Sequence, residues 1–318
     1  MTHTGGDDAL ATRFAAERAH LVAVAYRLTG SLADSEDAVQ EAWLRLSALS
    51  PAQREGVRDL RAWLTTVVGR ICLDRLRSAV ARREHYVGEW LPEPIVTVSA
   101  GRPEVDPLEA VVRDDGIRMA AMVVLDRLSP EQRVAFVLHD AFSVPFAEIG
   151  DILGCATDTA RQHASRGRRA VADADPPSRA GLDEQRAVLE RFLAAVLSGD
   201  VRAVAEVLHP DVVLIGDSDG KARTTRRVMV GADKIARFFQ GLLGTYRPGA
   251  FQAARPVLVN GDLGVYLPAA PGGAGYRDLD AHVQTMAIRD GKVVAIYDQA
   301  NPDKLRRVAA LAATEATP

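Results

Sequence analysis

Two stretches decide how this chain is read: Ser143-Val144-Pro145-Phe146-Ala147-Glu148-Ile149-Gly150-Asp151-Ile152-Leu153-Gly154, and Ala160-Arg161-Gln162-His163-Ala164-Ser165-Arg166-Gly167-Arg168-Arg169 shortly after it. In the first, Phe146, Ile149 and Leu153 share one helical face, and Gly154 suits the left-handed turn that ends a helix. A second helix is expected to start three residues later. Its inner face carries the small residues Ala160, Ala164, Gly167 and Val171, which allow close packing on the preceding helix. Arg161, Gln162, Ser165, Arg166, Arg168 and Arg169 then project away from that face. A helix of this kind fits a DNA major groove, where arginine suits guanine edges or phosphates and glutamine suits adenine edges. A solvated arginine face closing an ordinary bundle is the competing reading. The short glycine turn and the acid-free run Arg161–Arg169 weigh against it.

Working outward, Ile117–Leu128 reads as a helix, and Ser129-Pro130-Glu131-Gln132 supplies an N-cap, a first-turn proline and a capping-box glutamine for the next one. Upstream, residues 8 to about 83 are helical in pattern. One apolar period runs through Leu21, Val24, Ala25 and Leu28, and another through Ala38, Val39, Ala42, Trp43 and Leu46, with Gly30-Ser31 between them. From Arg61 to Arg83, Leu64, Val68, Cys72, Leu76 and Val80 form a seam, and Trp63, Thr66, Arg70, Asp74 and Arg77 line the neighbouring stripe. A tryptophan leading a row of arginines suits stacking on an unpaired base while cations hold phosphates. Burial of Trp63 in the core, with Asp74 simply paired to Arg70, remains an equal alternative.

Between the two basic stretches lies an acidic, proline-dotted segment containing Glu93, Glu104, Asp106, Glu109, Asp114 and Asp115 with Pro92, Pro94, Pro103 and Pro107, which reads as a linker. After Pro176-Pro177 the composition changes. A helix, a short helix, strands, a helix around Asp233–Leu243, and strand-like runs at 256–267, 282–289 and 292–298 follow, with Asp290-Gly291 as a hairpin signal. This predicts an α+β unit with a curved antiparallel sheet behind a helical part.

The bulk properties agree. A chain of 318 residues with 39 Lys and Arg against 42 Asp and Glu has a net charge of −3, so any DNA contact must rest on local arginine concentration. No apolar run reaches the roughly 18 residues that span a bilayer, and the first ten residues lack a charged-then-apolar leader, so a cytoplasmic location is expected. The two cysteines, Cys72 and Cys155, lack zinc-ligand spacing and are expected to be reduced packing residues; no metal or cofactor is implied.

Asp34-Ser35-Glu36-Asp37-Ala38-Val39-Gln40-Glu41-Ala42-Trp43-Leu44, with Arg61-Ala62-Trp63-Leu64 through Asp74-Arg75-Leu76-Arg77, resembles region 2 of the extracytoplasmic-function sigma factors. The helix-turn-helix resembles their region 4. The resemblance implies that Asp34, Asp37, Gln40 and Glu41 grip the core of RNA polymerase. It also implies that the helix carrying Trp63, Arg70 and Arg77 helps open the minus-ten element, and that Arg161, Gln162, Ser165 and Arg166, flanked by Arg168, read the minus-thirty-five element. Gly69-Arg70 stands where the family often has arginine-asparagine, and Ala156 replaces its usual serine helix cap.

The chain is further similar to the sigma-J-like subgroup with a fused SnoaL-like domain. The motifs are Trp90-Leu91-Pro92-Glu93-Pro94, Asp217-Ser218-Asp219-Gly220-Lys221 and Asn301-Pro302-Asp303-Lys304-Leu305; glycines usually stand at positions 218 and 219. The implied architecture is multidomain: two all-α helical domains (region 2, 8–86; region 4, 115–173) joined by the linker 87–114, then a cone-shaped α+β SnoaL/NTF2-like domain (182–312). The implied function is promoter recognition and transcription initiation with RNA polymerase core and promoter DNA as partners. The C-terminal domain is expected to dock through Trp90, Pro92, Asp217, Gly220, Lys221, Asn301, Pro302 and Asp303 and to regulate in cis.

Blander readings stand beside these. Asn301 and Pro302 suit the start of a last helix, 302–312, and Asp217–Lys221 suits a polar turn. The fold also includes enzymes that use a pocket base, so His209, Asp211, Tyr266, His282 and Asp298 are candidates for acid–base work; their spacing does not show convergence, and a pocket without chemistry, with an unknown small-molecule ligand, is expected. The alternative to a sigma factor is a one-component helix-turn-helix regulator with a ligand-sensing C-terminal domain, disfavoured because such a repressor has no need of the Asp34–Leu44 surface.

Overall fold

The computed structural model describes residues 4–83, 85–97 and 117–308. The linker positions 98–116, with Pro103, Glu104, Asp106, Pro107, Glu109, Asp114 and Asp115, and the end of the expected last helix at 309–312 lie outside the described residues. The chain forms two compact units. One comprises 4–83, 117 and 121–176; the other comprises 85–97, 118–120 and 177–308.

The helical unit starts with α1 (Thr4–Thr29), α2 (Leu32–Ser47), the short α3 (Pro51–Glu55) and α4 (Leu60–Arg83). Gly30 closes α1 at φ +69°, and Ser31 caps α2 by accepting from the Asp34 amide. Most of the expected seam residues are buried: Leu21, Val24, Ala25 and Leu28 on α1, Ala38, Val39, Ala42 and Leu46 on α2, and Leu64, Val68, Cys72 and Leu76 on α4; Trp43 is half-buried, and the Val80 side chain lies outside the described residues. Val67, Ile71 and Leu73 are also buried, so α4 is covered around much of its circumference. The cause is packing on two sides, by α1 and α2 and by the helices from Pro130 onward.

After α5 (Met119–Asp126), whose first two residues belong to the other unit, those helices are α6 (Pro130–Phe136), a π-helical turn at Val137–Ala141, α7 (Phe146–Leu153) and α8 (Thr157–Ala174). The Ser129/Gln132 capping box forms as the sequence predicts. Arg133, only 1% exposed, donates to the carbonyl of Arg27 and pairs with Asp126 at 3.1 Å, tying α6 to α1.

In the other unit, α9 (Leu182–Ser198), α10 (Val201–Val207) and α11 (Ala232–Thr245) pack on one face of a seven-stranded sheet, around Val188, Phe192, Ile235, Phe239, Met286 and Ile296. The strands are β1 (Val96–Thr97), β2 (Leu208–Asp217), β3 (Met229–Val230), β4 (Arg255–Val259), β5 (Asp262–Leu267), β6 (His282–Arg289) and β7 (Lys292–Gln299), in the order β1-β4-β5-β6-β7-β2-β3. The antiparallel expectation needs one correction: β2 runs parallel to β7. Period-two patterning is the same in both arrangements, and β2 reaches β7 only after the chain has passed through α11 and four other strands.

Two further expectations change. Val96 and Thr97 of the linker extend the sheet by pairing antiparallel with Val259 and Leu258. The last helix, expected from Pro302, starts at Arg306, because the Asn301 side chain accepts from the Asp303 amide and Pro302–Lys304 form a turn. Among the described residues no helix is long and apolar enough to cross a membrane.

Candidate functional site

Helix α8 starts at Thr157 with Ala156 as an N-cap that offers no side-chain bond, and Gly154 adopts the left-handed conformation at φ +69°. Ala160, Ala164 and Gly167 face inward; a Cβ on Gly167 would lie 2.9 Å from the Phe136 Cβ. Arg161, Gln162, Ser165 and Arg166 are all exposed on the outer face, as a groove-reading helix requires. Arg161 pairs with Asp158 at 2.8 Å, and Arg168 donates to both oxygens of Asp140 at 2.7 and 2.9 Å.

On α2, Asp34, Asp37 and Glu41 gather around one guanidinium from α4. Arg75 stands 3.1, 3.7 and 3.9 Å from them, and Gln40 is exposed beside them. The arginine fixes an acidic face without neutralising it, since Asp37 keeps 66% of its side chain in solvent.

The α4 stripe is less open. Trp63 is half-buried, between its two sequence readings, while Arg70 is exposed. Thr66 donates to Glu148 of α7, and Arg77 donates to Glu131 of α6 at 3.1 Å. Gly69 lies so close to Leu138 and Ile152 that a Cβ would meet them at 3.1 and 3.3 Å. Helices α6 and α7 and the π-helical turn between them therefore occupy part of the α4 face carrying Thr66, Gly69 and Arg77.

The three motifs in the second unit converge. Residues 85–95 form a strap held against the sheet and leading into β1. The fully buried Asp217 accepts from Tyr86 Oη at 2.5 Å, the Leu91 amide at 2.8 Å, Gln299 Nε2 at 3.2 Å and Lys304 Nζ at 2.6 Å. Lys304 also donates to the Leu91 carbonyl, and its ammonium stands 4.2 Å from the Trp90 ring centroid. Asn301 Nδ2 donates to Tyr86 Oη, and the Pro92 carbonyl accepts from Gln299. Asp219 accepts from the Val87 amide, and Lys221 bridges Asp219 and Asp303 at 2.8 and 2.7 Å. Gly220, at φ +68°, lies against Val87. Pro302 is exposed and serves the turn. Burial and the Asp217 charge push the Tyr86 hydroxyl up, so it stays a donor.

Sequence reasoning missed Tyr86, Gln299 and Lys304, although Lys304 lies inside one of the three motifs and Tyr86 is the aromatic nearest ahead of Trp90. It also missed Asp262, on which Arg118, Arg179 and Gln185 converge at 2.8, 3.1 and 3.2 Å.

Of the acid–base candidates, only His282 and Asp298 meet, at 2.9 Å. His209 accepts from the Asp211 amide within the irregular start of β2. Tyr266 pairs across strands with Val283, on the sheet face opposite His282. Burial pushes the His282 imidazole down, but the Asp298 charge and hydrogen bond, helped by Asp280, more than offset it and hold it above its ordinary value. Burial pushes Asp298 up, and His282, Thr224 and Gln284 together bring it below the usual carboxylate range. This is a satisfied ion pair. Cys72 is a buried thiol pushed up to about 12 by its burial, and both cysteines are free.

Family models for Sigma-70 region 2, Sigma-70 region 4 and the SnoaL-like domain match residues 14–82, 118–171 and 189–296. A region 2 unit, a helix-turn-helix and a fused SnoaL-like domain define a promoter-recognition factor of RNA polymerase. The chain belongs to the extracytoplasmic-function (ECF) sigma factors. It is 52% identical to the ECF RNA polymerase sigma factor SigJ of Mycobacterium tuberculosis, over 92% of each chain, and 32% identical to that organism's probable sigma factor SigI over 94% of this chain and 95% of the other. The crystal structure of M. tuberculosis SigJ superposes with a TM-score of 0.77 at 49% identity, covering 93% of this chain and 98% of that one. Sigma factors bind the RNA polymerase core and promoter DNA, and the full-length relatives are sigma factors and not enzymes.

Proposed function

We propose that the SnoaL-like domain regulates promoter use in cis by holding the strap that leads from the region 2 helix α4 toward the region 4 helices. The observation that carries this reading is Asp217: one fully buried carboxylate takes four donors, two from the strap, one from the end of β7 and one from the C-terminal motif. A strap pinned in this way restricts how far region 2 and region 4 can separate. In this reading Asp34, Asp37, Gln40 and Glu41 grip the polymerase, Arg161, Gln162, Ser165 and Arg166 read the minus-thirty-five element, and Arg168 adds a weaker contact because Asp140 already neutralises it.

Trp63, Arg70 and Arg77 serve the melted minus-ten strand once the α4 stripe is uncovered. The pairs Thr66–Glu148 and Arg77–Glu131 support a closed resting state of the helical unit. A small molecule held in the C-terminal cone belongs to the same reading, as the signal that biases the strap.

The test is reconstituted transcription from a cognate promoter with the full-length protein, Asp217→Ala, Lys304→Met, and a chain ending before Asn301. Altered initiation in all three altered proteins, with core polymerase affinity kept, is expected. Identical transcription from all four would refute cis regulation.

A further inference from the structure

Between α9, α11 and the sheet lies a cavity of about 200 Å³, walled by Phe192, Val196, Phe239, Leu242, Val265 and Leu267. An apolar cavity of about 150 Å³ holds a benzene ring, so this one has room for a ring with a short substituent. Two polar side chains interrupt the apolar lining, the solvent-exposed Gln252 at the rim and Gln284 on the sheet. Gln284 reaches the cavity wall, with its amide nitrogen committed to Asp298 Oδ1 at 3.1 Å, which leaves the amide oxygen for an occupant.

Asp298 also connects this end to the strap. Its Oδ1 takes His282, and its Oδ2 takes Thr224 Oγ1 at 2.5 Å. Thr224 lies seven residues beyond Asp217 in the loop whose Asp217 and Asp219 hold Leu91 and Val87. Gly216, the β2 partner of Asp298, carries no side chain where the Thr224 and Thr225 hydroxyls lie, so the loop sits directly on the strand. The next residue of β7, Gln299, turns to the opposite face and donates to Asp217 and the Pro92 carbonyl. The cavity's polar end, on β6 and β7, and the strap anchor, on β7 and β2, thus meet at neighbouring residues of β7 on opposite faces of the sheet.

The geometry points to a binding site for a small, uncharged, mainly apolar molecule of monocycle size with one hydrogen-bond donor, taken by Gln284 and coupled through Asp298 and Thr224 to the strap. This rests on the cis-regulatory reading above for its biological use, but not for its existence. The Gln284–Asp298–Thr224 arrangement accompanies the docked strap, so an occupant that donates to the Gln284 oxygen and holds this arrangement favours the docked strap.

The test uses the full chain and two probes that differ by one hydroxyl, 4-propylphenol and propylbenzene. Calorimetric titration is expected to show saturable binding of both, with the phenol about 2- to 10-fold tighter, the worth of one neutral hydrogen bond. Gln284→Leu is expected to abolish that preference while propylbenzene still binds, and Val196→Phe, which fills the cavity from α9, to abolish both. Hydrogen exchange at the Leu91 and Ile95 amides reads the coupling. With 4-propylphenol at about ten times Kd, exchange is expected to slow several-fold, with a ceiling of about 11-fold. Thr224→Val is expected to remove that slowing and leave binding intact.

Absence of saturable binding, equal affinity of the two probes for the native chain, or strap exchange unchanged at saturation each overturns the inference. If binding and strap protection appear while transcription ignores the phenol, the regulatory reading fails and the site stands. If the Asp217 and Lys304 variants alter transcription while neither probe binds, only the site is lost.

Discussion

Replacing Asp217 by alanine should release the strap without unfolding the domain. Asp217 is fully buried, and its ion-pair partner Lys304 keeps only 14% of its side chain in solvent, so screening is weak. Removing one partner of a buried pair costs about 3–5 kcal/mol, because the other charge is left uncompensated. Lys304 retains the Leu91 carbonyl at 2.6 Å and the Trp90 ring at 4.2 Å, which places the cost toward the lower end. At about 1.4 kcal/mol per factor of ten, strap opening becomes about 10²- to 10³-fold more frequent. The Leu91 amide loses its acceptor directly, so the cleaner reporter is Ile95, whose amide donates to Asn260 Oδ1 at 3.0 Å and reports the strap as a whole. Native-state hydrogen exchange at Ile95 should accelerate by that factor, while amides of the β6–β7 pair keep their protection. Asp217→Leu combined with Lys304→Met removes both charges and should recover much of the loss. Exchange at Ile95 within about three-fold of native in Asp217→Ala would show that this carboxylate does not hold the strap.

Other consequences are smaller in scope. Arg166→Ala should weaken binding to a promoter duplex by about 1–3 kcal/mol in fluorescence anisotropy, and Arg168→Ala by clearly less, since Asp140 already pairs with Arg168; equal losses would contradict this. Gly167→Ala should destabilise the helical unit by about 1–3 kcal/mol in urea unfolding, because its Cβ would meet the Phe136 Cβ at 2.9 Å and the Gln132 carbonyl at 3.1 Å. His282 is held above its ordinary value, so its stabilisation is full below about pH 6.5 and disappears as pH rises through its folded value. The stability gap between native protein and His282→Gln should therefore narrow from about pH 6 to pH 9 in thermal unfolding; Asp298, held low, adds no slope there, and a constant gap would exclude the ion pair.

Local chemistry makes much of this protein legible in its sequence. The helix boundaries follow from groups that act within four residues: the Ser129/Gln132 capping box, the Ser31 cap and the left-handed Gly154. The small inner face of α8, Ala160, Ala164 and Gly167, likewise leaves its arginines only the outer side. The paired motifs at Trp90, Asp217 and Asn301 are readable as motifs.

What tertiary structure alone decides involves partners far apart in the chain. Periodicity reports which face is apolar and not what covers it, so the second layer on α4, which draws Thr66 and Arg77 to Glu148 and Glu131, has no signature along the sequence. The parallel β2–β7 pair is invisible for the same reason. Asp217 is the clearest instance: as a letter it suits a polar turn, and only when the chain folds does it become a buried carboxylate. Burial without donors would be prohibitive, so Tyr86, Leu91, Gln299 and Lys304 must all reach it at once.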